Sequence, residues 1–167
     1  MRQPAAGNLG NLRRQPGPRP DRSVAGMSTV LVYSDDPETR ERVMLAVGRR
    51  PDPEAEPINW KEAADAEAVI HAVDSGDIDL CLLDGEAWPT GGMGLSRQLR
   101  NEVEDCPALI VLLGRRDDAW LGKWSLADAA LASPPDPEEL GRTIVRLLRE
   151  RASRLPAERG WFGVRRR

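Results

Sequence analysis

Three carboxylates follow the carboxyl ends of two apolar runs in this sequence. Thr29–Ser34 leads into Asp35 and Asp36, and Asp79–Leu83 leads into Asp84. If both runs are strands of one parallel sheet, the three side chains meet at one edge, outside the carboxyl ends of the strands. Carboxylates that close together repel one another unless a hard cation joins them or one takes up a proton. The spacing therefore predicts an acidic site that binds a cation or shares a proton.

Apolar strands alternate with amphipathic helices over most of the chain. Strands are predicted at Thr29–Ser34, Ile58–Ala63, Asp79–Leu83, Ala108–Leu113 and Ala130–Ala132. Helices are predicted after Asp36, over 66–73, at Leu95–Val103, at Asp117–Ala127 and after Asp136. Strict alternation requires a parallel sheet covered on both faces. The predicted fold class is α/β: a flavodoxin-like doubly wound five-stranded parallel sheet, (β/α)5, in a three-layer sandwich.

Positive charge is concentrated at the two ends of the chain. Residues 1–26 hold five Arg and one Asp with almost no apolar periodicity, which predicts a disordered N-terminal extension. Met27 directly precedes the first strand and is an alternative start. Residues 154–167 form a basic tail that contains Trp161 and Phe162. The body between the tails is acidic, so we expect no DNA-binding domain, because phosphate contacts need Lys and Arg on a folded face.

The apolar stretches, the two cysteines and the single histidine restrict the cellular compartment and the type of function. There is no apolar stretch of membrane-spanning length, so no transmembrane segment is predicted. Cys81 and Cys106 are not in a metal-type spacing, and Cys81 lies inside an apolar strand, which favours a reducing cytoplasm. His71 is the single histidine, and no Ser or Cys nucleophile arrangement forms around it. We therefore expect that this protein is not an enzyme.

Residues 27–153 resemble the receiver domain of two-component response regulators, and are most similar to stand-alone, atypical actinobacterial receivers. The matching stretches are 30–36, 79–84, 94–99 and 134–140. This resemblance implies a phosphoprotein of phosphorelay signal transduction in which Asp84 is the phosphoacceptor. It also implies Mg²⁺ as cofactor, held by Asp35, Asp36, Asp84 and the backbone carbonyl of Glu86. The chemistry agrees, because phosphoryl transfer to a carboxylate needs cations to neutralise developing charge.

Three positions depart from the pattern of that family. The fourth strand ends in Leu113, where the family carries a hydroxyl that turns toward the phosphoryl group, and Leu cannot donate a hydrogen bond. Ser133 stands where the family has a lysine, and Ala130 stands at the aromatic switch position. The loss of such a lysine contact removes roughly 3–4 kcal/mol of electrostatic stabilisation, by analogy with single oxyanion-hole donors.

The aromatic side chains suggest where a partner binds. Trp120 and Trp124 lie one helical turn apart on the predicted fourth helix, and aromatic residues dominate binding hot spots. The resemblance implies a homodimer or partner face built from the fourth helix, the fifth strand and the fifth helix. The alternative is that one tryptophan packs in the core. Trp88 lies four residues after Asp84 and is predicted to cover the acidic pocket.

Three functions remain open at this stage. The first is a stand-alone receiver that acts through protein–protein contact, with Mg²⁺-dependent phosphorylation of Asp84 by an unidentified histidine kinase. The second is a phosphorylation-independent pseudo-receiver that serves as an adaptor or accessory subunit. The third is a small-ligand site under Trp88. An altered partner affinity in Asp84→Asn would favour the first, and an effect of surface changes such as Trp120→Ala alone would favour the second.

Overall fold

The computed structural model describes residues 13–19, 26–115 and 119–154 of the chain. Strands and helices alternate in these ranges: β1 Ser28–Tyr33, α1 Pro37–Val47, β2 Ile58–Ala63, α2 Ala66–Asp74, β3 Leu80–Asp84, α3 Gly92–Glu102, β4 Ala108–Leu113, α4 Ala119–Trp124, β5 Ala129–Ala132 and α5 Pro137–Arg154. The strands form one parallel sheet in the order β2-β1-β3-β4-β5. This arrangement confirms the predicted flavodoxin-like α/β fold class.

Two apolar layers enclose the sheet, one on each face. Successive residues of β1 point to opposite sides, so Val30 and Val32 join one layer while Leu31 and Tyr33 join the other. Side chains of α1 and α5 complete the first layer, and side chains of α2 and α3 complete the second. Every residue of β3 and β4 is buried. A strand covered on both faces explains why these segments are continuously apolar rather than alternating.

Element boundaries differ from the sequence prediction mainly at α3 and α4. Helix α3 begins at Gly92, three residues before the predicted Leu95, with Gly91 as its N-cap residue. Within the described residues helix α4 spans Ala119–Trp124, and its predicted start at Asp117 lies outside them. Gly91, Gly92 and Gly94 therefore lie at the N-cap and in the first turn of α3.

The first turn of α3 packs directly on the backbone that carries Asp84. A Cβ atom built on Gly92 would lie 2.6 Å from the Asp84 carbonyl oxygen and 2.8 Å from the Leu83 carbonyl carbon. Real Cβ atoms do not approach backbone so closely. Only glycine permits α3 to begin at this point, so Gly92 fixes the helix against the end of β3.

We expect Gly92→Ala to lower the free energy of unfolding by about 1–3 kcal/mol, because the added methyl group forces backbone apart in a packed region. Gly94→Ala is the matched control, since a Cβ there meets nothing within 4 Å. That change is expected to be neutral or to stabilise by up to about 1 kcal/mol through helix propensity. Urea unfolding followed by circular dichroism measures both. Equal stabilities for the two variants would contradict the packing argument.

The amino-terminal extension behaves differently from its prediction over residues 13–19. This stretch was predicted to be disordered, but it lies against the domain and forms an isolated parallel bridge between Arg14 and Val103. Its arginines pair with carboxylates of the acidic body, a nonlocal interaction that composition alone does not reveal. Residues 1–12 and 20–25, and residues 155–167 of the basic tail, lie outside the described residues.

Two further predictions can be compared with the structure. Within the ranges that the structure describes, no helix combines the length and the apolar character needed to cross a membrane. Cys81 and Cys106 are both free and buried. Burial raises the pKa of the Cys81 thiol, and it raises that of Cys106 to about 11. Both thiols are therefore protonated and unreactive near neutral pH.

Candidate functional site

Asp84 ends β3 and is held by two hydrogen bonds. The residue is buried, with only 8% of its surface exposed. The Ser34 hydroxyl donates to Oδ2 at 2.8 Å, and the Glu86 backbone N–H donates to Oδ1 at 2.9 Å. Hydrogen bonds to the charged form satisfy a buried carboxylate and fix its orientation. Asp84 is thus a preorganised carboxylate at the carboxyl edge of the sheet.

Ser34 is a site residue that the sequence prediction missed. It is fully buried directly after β1, and its Oγ both donates to Asp84 and accepts from the Asp36 backbone N–H at 3.1 Å. The Arg40 guanidinium donates to the Ser34 carbonyl at 2.6 Å and to Glu62 at 3.1 Å. One signal for this role was present in the sequence. Ser34 carries a hydroxyl directly before the acidic pair, at the end of the strand, where alternation still allows its side chain to point into the site.

Asp35 joins the site through the loop that follows β3. Its Oδ1 accepts from the Trp88 backbone N–H at 3.1 Å. The same loop starts from the Glu86 N–H bond to Asp84, so the two carboxylates hold adjacent parts of one segment. The Tyr33 hydroxyl donates to the Thr90 carbonyl at 2.5 Å and anchors the far end of the loop. Burial, followed by the nearby carboxylates of Asp35, Asp65 and Asp84, raises the pKa of Tyr33.

Asp36 has a different role from the other two carboxylates. Its Oδ1 accepts from the Glu38 N–H at 3.0 Å and its Oδ2 from the Thr39 hydroxyl at 2.7 Å, so it is the N-cap of α1. The Thr39 hydroxyl first, and then the Glu38 N–H, hold the pKa of Asp36 below its usual range. Both oxygens accept hydrogen bonds from the first turn of α1. The assignment of Asp36 as a metal ligand stays a prediction.

The carboxylates at this site suit a hard cation that keeps several water ligands rather than one that is enclosed by protein ligands. Among the described residues, no group of three or more His, Cys, Asp or Glu side chains is arranged to hold a metal ion. Asp35 and Asp84 nevertheless flank one loop, and each of their hydrogen-bonded oxygens keeps a further lone pair. Mg²⁺ is bound by one or two carboxylates with several waters, so the Asp35 and Asp84 side chains are of the ligand type that it takes.

The three departures from the receiver pattern meet at one cleft. Leu113 ends β4, and its carbonyl accepts from the Ser133 N–H at 2.7 Å. A cleft of about 600 Å³ opens beside them. Its described lining contains no Lys or Arg and consists of Leu113, Gly114, Ala130, Leu131, Ala132, Ser133, Pro134, Asp136 and Glu139. The Glu86 side chain extends toward this region, since a Cβ on Gly114 would lie 3.1 Å from Glu86 Cγ. The small residues at 130 and 133 therefore leave an open, acidic space.

Three tryptophans are exposed around the site and α4. Trp88 is 76% exposed, so its backbone contacts Asp35 while its ring does not form the predicted cover. Trp120 and Trp124 are 66% and 47% exposed, and neither is buried in the core. The Arg97 guanidinium lies 5.1 Å from the centre of the Trp124 ring and donates to the Trp124 carbonyl at 2.8 Å. This pair of contacts joins α3 to α4.

Similarity to known proteins agrees with this geometry. No protein-family model matches the chain. Two curated Mycobacterium tuberculosis proteins, from the CDC 1551 / Oshkosh strain and from a second strain, are each called an uncharacterized response regulatory protein. Both are 52% identical to the chain over 130 residues, which is 78% of this chain and 96% of the relative.

Solved structures with the same fold are more distant in sequence. The receiver domain of an HD domain-containing protein from Pseudomonas fluorescens superposes with a TM-score of 0.65 at 19% identity, covering 78% of this chain and 93% of that one. The response regulator TrrA of Thermotoga maritima, in complex with Mg²⁺ and BeF, gives 0.60 at 23% identity, covering 72% and 99%. At such identities these structures support the fold alone.

Proposed function

The chain belongs to the receiver-domain family of two-component response regulators, and from that premise we propose that it signals by protein–protein contact under the control of phosphorylation at Asp84. It is proposed as a signalling module and not as an enzyme. The observation that carries the proposal is the buried, doubly hydrogen-bonded Asp84 carboxylate at the end of β3. A free and buried pair of thiols supports a cytoplasmic location.

The proposed step is nucleophilic attack by an Asp84 carboxylate oxygen on the phosphorus of a phosphoryl donor. The bond between phosphorus and the leaving group breaks, and the leaving group keeps the electron pair. Ser34 and the Glu86 N–H orient the nucleophile. Asp35 and the Glu86 carbonyl, with Asp84, are the proposed holders of Mg²⁺, which when bound would neutralise charge on the phosphoryl oxygens. Asp36, whose side chain caps α1, remains a further predicted ligand.

The proposed output runs through α3 and α4 because Leu113 cannot hydrogen-bond to a phosphoryl group. Gly92 seats the first turn of α3 on the Asp84 backbone. Arg97, one to two turns later, holds the Trp124 ring and carbonyl. A shift of the Asp84 backbone can therefore be transmitted through α3 and α4 to the exposed side chains of Trp120 and Trp124. These two side chains are the proposed partner surface. A homodimer through the same region is an alternative use of this surface.

Titration with Mg²⁺ and then with beryllofluoride, a phosphoryl mimic, tests the proposal in the full chain. Tryptophan emission is expected to change saturably, because the Trp88 N–H is bonded to Asp35. The Asp84→Ala variant is expected to lose the beryllofluoride response. Calorimetry checks for binding that the tryptophans do not detect. If neither method detects binding to the wild type, the proposal fails and the result favours the phosphorylation-independent adaptor.

A further inference from the structure

Residues 13–19, hereafter the latch, lie across the end of the domain opposite to Asp84. The Arg14 N–H donates to the Glu102 carbonyl at 2.6 Å, and the Glu104 N–H donates to the Arg14 carbonyl at 3.0 Å. Farther along, the Gly17 N–H donates to the Asp74 carbonyl at 2.8 Å. The latch thus binds the carboxyl ends of α2 and α3 through its backbone, in the way an added strand binds a sheet edge.

Ion pairs add to these backbone bonds. The Arg14 guanidinium lies 3.5 Å from an Asp74 carboxylate oxygen and 3.2 Å from a Glu102 oxygen. Arg19 forms an ion pair and a hydrogen bond with Asp105. Arg151 of α5 lies 3.6 Å from the same Asp105 carboxylate. We define the latch groove as the acidic surface formed by 74–76 and 102–105, which receives two arginines on an extended backbone.

Close backbone contact also shapes the latch groove. Gly76 has a φ of +85°, and a side chain there would collide with the Gly17 carbonyl oxygen. A Cβ on Gly17 would in turn lie 3.1 Å from the Ser75 carbonyl oxygen. Glycine at both positions is what allows the two backbones to approach.

The latch contact is incompletely satisfied. Among the residues that the structure describes, Arg14 Nη2 lies near Glu102 without hydrogen-bonding geometry. Within the same residues, the buried polar atoms without a hydrogen-bond partner at this contact are Arg14 Nε and Nη2, Arg19 Nη1, Asp74 Oδ1, and Arg151 Nε and Nη2. Buried polar atoms without partners oppose the contact that buries them. Surface ion pairs also contribute little and weaken with salt. The latch is therefore suited to release and replacement.

We propose that the latch is a reversible cover, and that the latch groove is a docking site for an extended, arginine-bearing segment of a partner protein. The occupant follows from the present contacts, in which the backbone groups at 102 and 104 bond to an extended segment and the carboxylates at 74, 102 and 105 pair with its arginines. A covalently attached segment has a high effective concentration, so the groove stays covered until a better-fitting segment competes. The inference does not depend on phosphorylation of Asp84.

Limited trypsin digestion of the full chain measures latch opening at Arg13 and Arg14. The variant Glu102→Gln with Asp105→Asn keeps these cleavage sites but removes two carboxylates from the groove. We expect cleavage to be about tenfold faster than in wild type at low salt, since proteolysis follows the population of the open form. The control, Glu41→Gln with Glu138→Gln, makes the same charge change at exposed positions outside the latch groove and is expected to cleave like wild type. Equal rates in both variants would overturn the latch.

A glycine pair provides a charge-free check. Gly76→Ala adds both backbone strain and a collision with the latch, whereas Gly48→Ala adds strain at φ +70° with nothing within 4 Å. Thermal unfolding confirms that each variant is folded. Faster cleavage at Arg13 and Arg14 is expected for Gly76→Ala alone, and identical rates would count against the latch.

A fluorescent peptide with the sequence of residues 11–20 tests docking in trans. The receptor is the full chain with Arg14→Ala and Arg19→Ala, which frees the groove. Anisotropy is expected to show at least about tenfold tighter binding to this receptor than to wild type, because the attached latch no longer competes. A peptide with alanine at positions 14 and 19 is expected not to bind. If the two receptors bind the peptide equally, or neither binds it, the docking proposal is wrong.

Discussion

Replacing Asp84 with Asn is expected to abolish phosphoryl uptake from a small acyl phosphate, whereas wild type gains the mass of one phosphoryl group. The amide cannot act as the nucleophile, so the expected loss exceeds about 100-fold. The fold should persist, because an Asn at this position still exchanges hydrogen bonds with Ser34 and the Glu86 N–H. Intact-protein mass spectrometry over time, with Mg²⁺ present, makes the measurement.

Asp36→Asn is the matched control for that variant. Asn is as good an N-cap as Asp, so α1 keeps its first turn while the adjacent charge is removed. If Asp36 only caps the helix, uptake remains near the wild-type rate. Uptake by the Asp84→Asn variant at the wild-type rate would show that another group accepts the phosphoryl group, and a wild type that takes up none would contradict the proposed function.

A lysine at position 133 is expected to accelerate phosphoryl uptake by about 100-fold, near the effect of one electrostatic donor on a developing charge. The cleft of about 600 Å³ beside Leu113 and Ala130 leaves space for the longer side chain. In the native chain Arg40 is committed to the Ser34 carbonyl and to Glu62. Ser133→Lys would therefore bring a cation into a cleft whose described lining carries none.

Ser133→Met separates charge from bulk, because methionine has a similar length and no charge. It is expected to leave the uptake rate unchanged. Both variants are compared with wild type under the same acyl phosphate and Mg²⁺ concentrations, and unfolding curves establish that both are folded. Should the lysine and methionine variants react at equal rates, the missing cation would not be what limits this site.

The fold was predictable because its information is local and repeated. The buried strands are short apolar runs, and helices with an apolar face begin after predicted capping residues such as Asp36. Alternation of the two leaves few topologies. The placement of Asp35 and Asp84 after β1 and within β3 was accessible for the same reason, since the carboxyl ends of parallel strands share one edge of the sheet.

Local sequence predicted Asp36 as the N-cap of α1 but did not predict that Ser34 bonds to Asp84. Which of three consecutive polar residues faces the site depends on the residue at which β1 ends and α1 begins. In the structure Ser34 still points inward to Asp84, whereas Asp36 already caps the helix. One residue of difference exchanges these orientations, and pattern analysis places element boundaries less finely than that.

The sequence by itself determined the family, the sheet and the acidic edge of this protein. Tertiary structure alone decided that Leu113, Ala130 and Ser133 border one cleft, that Gly92 seats α3 on Asp84, and that the latch lies on the ends of α2 and α3. The physical reason is the separation in sequence over which each kind of information acts, since periodicity and capping act over only a few residues. Contacts between segments far apart in the chain depend on shape and charge that exist only once the sheet has formed.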